Sequence, residues 1–183
     1  MADEKVGTIK PLKEYRTILI SGGINDALAR EVVVNLLELN ANSKDEITLI
    51  VNSEGGSVES AFMITDVMEI IQSPIRTIGL GAVMSAGLII FMTGTKGKRC
   101  ITLNTQFLSH RFWAGTVGDH EDLVSYSSYV DRTHDNIVRH YIKHTGLSKD
   151  LILKDLLNES NMWLSPRQAM KYKLADKFLR TKI

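Results

Sequence analysis

Three stretches of the sequence hold residues whose types and spacing allow covalent chemistry. Ser85 lies in "GAVMSAGLII" (81–90), between small residues and ahead of an apolar run. "NSEGGS" (52–57) places two glycines directly after a β-branched run, and "LSHRF" (108–112) carries His110 after another. A serine nucleophile needs a base, a group that orients the base, and donors for the oxyanion. Glycines let backbone N–H groups approach a ligand, and a helix that starts at Ser85 favours developing negative charge at its N-terminus. Each stretch also has an ordinary reading: a turn, a helix cap and a structural histidine. The GxSxG elbow of α/β-hydrolases is absent, because Val83 stands at its first glycine.

The elements that must position these residues follow from periodicity. "TILI" (17–20) reads as a strand ending at "SGG". Asp26 is a candidate cap for a helix with Leu28, Val32, Leu36 and Leu39 at helical spacing. "ITLIVNS" (47–53) reads as a buried strand, "EGGSV" as a turn, and 58–72 as an amphipathic helix stopped by Pro74. "IRTIGL" (75–80) is a strand, 85–92 a helix or a buried run, and 99–103 and 106–109 are strand candidates. Residues 119–143 form a long polar helix with Leu123, Tyr126, Val130, Thr133 and Ile137 on one side, a thin stripe that calls for a partner. Helix 149–157 follows, and Ser165, Pro166 and Gln168 supply cap, N1 proline and capping-box partner for a last short helix. Strands alternating with helices argue for βαβ units and an α/β fold in a single domain.

Composition narrows the function classes. The 183 residues carry a net charge of +1 and no long basic run, so there is no electrostatic case for nucleic acid or an anionic membrane. Cys100 is the only cysteine, which excludes an internal disulfide and CxxC zinc sites and points to a reducing compartment, the cytoplasm. "MADEKVGTIKPLKEY" has no apolar core and does not read as a secretory signal. His140 and His144, four apart on the long helix, have metal-clip spacing but read as a solvated helix face, so no metal is expected.

The ordered set "VNSEGGSV", "IGLGAVMSAGLIIFMTGTKGKR", "LSHRF" and "YIKHTGLS", followed by "WLSPRQAMKYKLAD", resembles the Clp protease proteolytic subunit family, ClpP. Gly56 to Ser85 is 29 residues, Ser85 to His110 is 25, and His110 to the "HTG" at 144 is 34, intervals that match the family pattern. The likeness covers residues 12 to 178. It implies a serine endopeptidase on the crotonase-like fold, with Ser85 as nucleophile, His110 as base, and the N–H groups of Gly56 and Ala86 as oxyanion hole. It implies no cofactor. It makes 119–143 the family's handle helix, between two stacked heptameric rings of like subunits that enclose a chamber for polypeptide substrates. Residues 1–15 become a short axial segment. The sequence has no GxxxxGK[ST] loop, so ATP chemistry falls to a partner AAA+ unfoldase.

Several positions depart from the family. Where it has the triad aspartate, two residues before the aromatic of its "FLS" motif, this chain has Asn161 before Trp163. Counted from "HTG", two extra residues bring Glu159 to that place instead. Asn161 is the expected third member and Glu159 its alternative. Ser160 replaces a common arginine, Glu54 a proline, and Lys173 a glycine that takes a left-handed turn. These departures motivate a second reading, an attenuated ring subunit that assembles with an active paralogue. A crotonase-type acyl-CoA enzyme shares the fold but does not account for Ser85 and His110 in register.

Overall fold

A computed structural model describes residues 12–179; the N-terminal part of the expected axial segment, residues 1–11, lies outside the described residues. After a 3-10 turn at Leu12–Tyr15 come β1 (Thr17–Ile24), α1 (Asp26–Asn42), β2 (Ile47–Gly56), α2 (Val58–Ile70), β3 (Ile75–Met84) and α3 (Ala86–Met92). Then follow β4 (Arg99–Ile101), β5 (Gln106–Ser109), α4 (His120–Thr145), α5 (Lys149–Asp155), β6 (Met162–Leu164), α6 (Pro166–Lys171) and β7 (Lys177–Phe178). The first three strands are joined by helices and pair in parallel, which is the βαβ succession the alternation predicts.

The sheet runs β1-β2-β3-β4-β7, with β5 and β6 off that path. Its central strands are alternately or wholly apolar, and Ile20, Ile47, Leu49, Val51 and Ile78 are fully buried. β3 changes partner along its length. Thr77–Gly79 pair with β4, and Ala82–Met84 pair with β5. Between them Gly81 takes φ +58°, and a Cβ there would lie 2.8 Å from Asn52 Oδ1, the atom that accepts from Ala82 N–H. This split opens the sheet at the point where Ser85 follows β3 and His110 follows β5.

Local chemistry explains where boundaries differ from the sequence reading. Asn25, rather than Asp26, caps α1 by accepting from Leu28 N–H at 3.0 Å. β2 extends through the glycines, because Gly55 and Gly56 still pair with Gly23 and Ile24 of β1. Ser57 then caps α2. The Ser165–Gln168 capping box and the N1 proline of α6 are present as expected. Lys173 takes the left-handed conformation, φ +56°, that its place in the family motif demands.

Along α4 burial is uneven. Thr133, Ile137, Val138, His140 and Tyr141 are buried, whereas Leu123 and Val124 are exposed and Tyr126 and Val130 only half-buried. The apolar stripe is satisfied within the chain only in the C-terminal half. His140 is 8% exposed, so the expectation of a solvated face at His140 and His144 is corrected. One side of α4 there packs against α2 and α3, and the period that carries Ile137 inward carries His140 and Tyr141 with it.

Candidate active site

Ser85 is the residue between β3 and α3. It holds φ +52°, ψ −123°, a region that L-residues with a Cβ seldom occupy. Its amide donates to the Leu108 carbonyl of β5 at 2.9 Å, which ties the turn to the strand that precedes His110. The hydroxyl makes no capping bond to α3, the ordinary task of a serine at a helix start. Instead Ser85 Oγ lies 2.9 Å from His110 Nε2. That is hydrogen-bond distance between a hydroxyl and an imidazole acting as its base. The α3 that follows is buried throughout, so the pair stands against a low-dielectric wall.

Gly55 lies directly against Ser85, and Gly56 against β1. A Cβ on Gly55 (φ +105°) would lie 2.7 Å from Ser85 Cβ and 3.1 Å from the Ala86 nitrogen. A Cβ on Gly56 (φ +148°) would fall 2.1 Å from the Ile24 carbonyl oxygen. Backbone this close to Ser85 at position 55, and to β1 at position 56, admits only glycine. Ala86 is the first residue of α3, where amides have no intrahelical acceptor. Beside Gly56 a cleft of about 270 Å³ is lined by Glu59, Phe112, Trp113, Tyr126 and Tyr129. The larger cavities, of about 470 and 510 Å³, lie elsewhere, around Arg99, Asp176 and the β7 edge.

Strand register locates the two candidates for a third member. β5 and β6 are antiparallel, with Ser109 opposite Met162, so the next step of the register sets Asn161 opposite His110. Glu159 stands two residues further, in an exposed turn where Ser160 N–H donates to Asn158 Oδ1 at 2.8 Å. Neither Asn161 nor Glu159 is hydrogen-bonded to the His110 ring. Among the described residues, Ser85 is the one side-chain partner of that ring.

Sequence reasoning missed the residues that hold the 156–161 segment against His110. Ser109 is fully buried, and its hydroxyl donates to the Leu156 carbonyl at 2.7 Å. That proton being used, the Tyr141 hydroxyl donates to Ser109 Oγ at 2.8 Å. Burial pushes the Tyr141 hydroxyl up to about 12 and keeps it protonated, against the lowering by Ser109. Arg111 Nε donates to the Leu157 carbonyl at 2.9 Å. For Ser109 and Arg111 the signal was their place on either side of His110 in "LSHRF" (108–112).

Comparison with known proteins supplies the remaining observation: the sequence model of the Clp protease family matches residues 2–182. The chain belongs to the Clp protease family. It is 34% identical over 169 residues to an ATP-dependent Clp protease proteolytic subunit of Deinococcus radiodurans, covering 92% of this chain and 82% of that one. A proteolytic subunit of Paracoccus denitrificans is 35% identical over 164 residues, covering 90% and 81%. Among solved structures, an asparagine-to-aspartate mutant of ClpP1 from Listeria monocytogenes superposes with a TM-score of 0.84 at 32% identity, covering 93% and 95%. The fold is thus that of ClpP, and the chain is a ClpP-like serine-type peptidase. No helix among the described residues is long and apolar enough to cross a membrane.

Proposed function

We propose that Ser85 attacks a peptide carbonyl, with His110 as its base, in an endopeptidase that cleaves unfolded polypeptide. The observation that carries this reading is the 2.9 Å contact between Ser85 Oγ and His110 Nε2 at a strained turn. His110 takes the hydroxyl proton as Oγ bonds to the carbonyl carbon. The oxyanion is met by the N–H groups of Gly56 and Ala86, aided by the α3 N-terminus. His110 returns the proton to the leaving amine, the acyl-enzyme forms, and water repeats the sequence in reverse. Asn161, opposite His110 in the extended β5–β6 register, is the residue that would turn its side-chain oxygen to the imidazole, a contact this structure does not make. The β5–β6 register favours it over Glu159, whose extra residues are absorbed in the Asn158 turn.

We infer a cytoplasmic assembly of two stacked heptameric rings fed by an AAA+ unfoldase; the naming of relatives as ATP-dependent proteolytic subunits supports an ATP-driven partner. The exposed Leu123 and Val124 on the first half of α4 are what a ring–ring contact would cover. A fluorophosphonate probe tests the nucleophile. Labelling of assembled protein that maps to Ser85 and is lost in Ser85→Ala and His110→Ala is expected. An unlabelled, fully assembled oligomer contradicts it.

One observation favours the second reading, an attenuated ring subunit beside an active paralogue. His110 has a hydrogen bond on its Ser85 side but none to Asn161 or Glu159. Co-purification with a second ClpP-like chain supports that reading, and a self-sufficient active homo-oligomer removes it.

A further inference from the structure

Glu69, His140 and His144 gather where the C-terminal turn of α2 meets α4. One ring nitrogen from each histidine and one carboxylate oxygen lie within 4.8 Å of one another. Among the described residues no other group of His, Cys, Asp or Glu side chains is assembled this way. The two imidazoles, one helical turn apart, have centroids separated by 4.3 Å. We propose that these three side chains bind one zinc-class divalent cation, with water in the remaining position.

Hydrogen bonding around His140 prepares it as a ligand. Thr93 Oγ1 donates its proton to the Ile89 carbonyl at 2.9 Å. His140 Nε2 lies 3.1 Å from that carbonyl and 3.1 Å from Thr93 Oγ1. Both oxygens can only accept from the ring, so Nε2 carries the hydrogen and the lone pair sits on Nδ1. A metal-bound histidine is held in the same way, its other N–H donated to a carbonyl. Burial, with His144 adding to it, holds the His140 imidazole down to about 4, and burial lowers His144 also.

Glu69 supplies the charge. Burial alone would raise its carboxyl, but Lys143 and His144 outweigh it and keep the group ionised. Lys143 Nζ holds Oε2 at 2.6 Å, and His144 Nε2 meets Oε1 at 3.1 Å. A cation that takes Oε1 and one ring nitrogen of His144 leaves the Lys143 contact in place as the outer partner of the carboxylate. Tetrahedral ligands about 2.0–2.1 Å from zinc are roughly 3.4 Å apart, so the cluster closes by about 1 Å. Glu69, on the surface, can make most of that move. An open cavity of about 300 Å³, lined by Asp66, Glu69, His140 and Lys143, gives the ion and its water a path. Two imidazoles and one carboxylate with an open position suit zinc and do not suit magnesium, which asks for oxygen ligands.

The test is independent of peptidase activity. Assembled protein is stripped with a chelator, and zinc chloride is titrated by calorimetry at neutral pH. One saturable equivalent per chain is expected. Glu69→Gln, His140→Ala and His144→Ala should each weaken it tenfold or more. His110→Ala and His120→Ala should leave it unchanged, and magnesium should give no saturable heat. Circular dichroism checks each variant, and Glu69→Gln, at an exposed side chain, keeps the test valid if His140→Ala does not fold. No saturable zinc binding overturns the proposal, as does binding that survives Glu69→Gln or is lost in His110→Ala.

Discussion

The two ends of α3 present the same pair of functional groups in opposite states. At the N-terminus Ser85 Oγ faces His110 Nε2 at 2.9 Å, and at the C-terminus Thr93 Oγ1 faces His140 Nε2 at 3.1 Å. The Thr93 hydroxyl has given its proton to the Ile89 carbonyl and can only accept from His140. The Ser85 hydroxyl has no carbonyl to serve and no capping bond to make, so its proton is available to His110. Thr93 sits in ordinary helical conformation, φ −71°, whereas Ser85 is forced to φ +52°. A hydroxyl beside a histidine is therefore not enough for catalysis. The backbone must also deny that hydroxyl its usual local partner.

Four experiments break or sharpen this contrast. The largest effect belongs to Ser85→Ala and His110→Ala. Each should lower peptidase turnover by roughly 10⁴- to 10⁶-fold, with the residual set by binding and the oxyanion hole. The measurement is hydrolysis of a fluorogenic peptide by assembled protein.

The next concerns pH, measured in chelator so that no metal intervenes. Unfolded histidine takes up a proton near 6.5, while folded His140 resists until about 4, chiefly through burial. Below pH 6.5 the unfolded chain therefore binds the extra proton. Stability should fall as pH drops from 6.5 to about 4 and stop falling there on this account. The loss is on the order of 3 kcal/mol for His140, and His144 adds in the same direction. Thermal melts from pH 7 to 4 should show a shallower decline in His140→Gln than in the parent. Glu69, Lys143 and His144 face this ring, so the comparison is run at fixed ionic strength.

Third, Asn161→Asp supplies the carboxylate that stabilises an imidazolium. Turnover should rise about tenfold or more, with KM little changed. The opposite change at the alternative position, Glu159→Gln, which removes a carboxylate, should leave turnover where it was. The smallest effect is expected at the inert pair. Thr93→Val should keep peptidase activity within about twofold and cost about 1 kcal/mol of stability from its lost hydrogen bonds, read as a lower Tm.

Much of this arrangement was legible in residue order. Alternation of β-branched runs with helical spacing predicted the βαβ units. The capping box at Ser165 and the left-handed turn at Lys173 followed from local chemistry and motif position. Ser85 and His110 were legible only as members of an ordered motif set, since each by itself has an ordinary structural reading. What the sequence hid is long-range. The switch of β3 from β4 to β5 brings Ser85 to His110, and no local pattern encodes it. The glycines at 55 and 56 read as a turn because periodicity cannot see that β1 still pairs with them. The polar spacing of α4 made His140 look solvated, because the α2 and α3 surfaces that bury it lie about 50 to 80 residues away in the chain. Ser109 and Tyr141 escaped for the same reason: their bond joins residues 32 apart.

The most direct test of the account is peptidase activity on a short fluorogenic peptide across size-exclusion fractions, with Ser85→Ala and Thr93→Val run beside the parent. The account predicts activity confined to the large assembled fraction, abolished in Ser85→Ala and retained in Thr93→Val. A clean large oligomer whose activity does not exceed that of Ser85→Ala would contradict it and leave the chain a structural subunit of the ring.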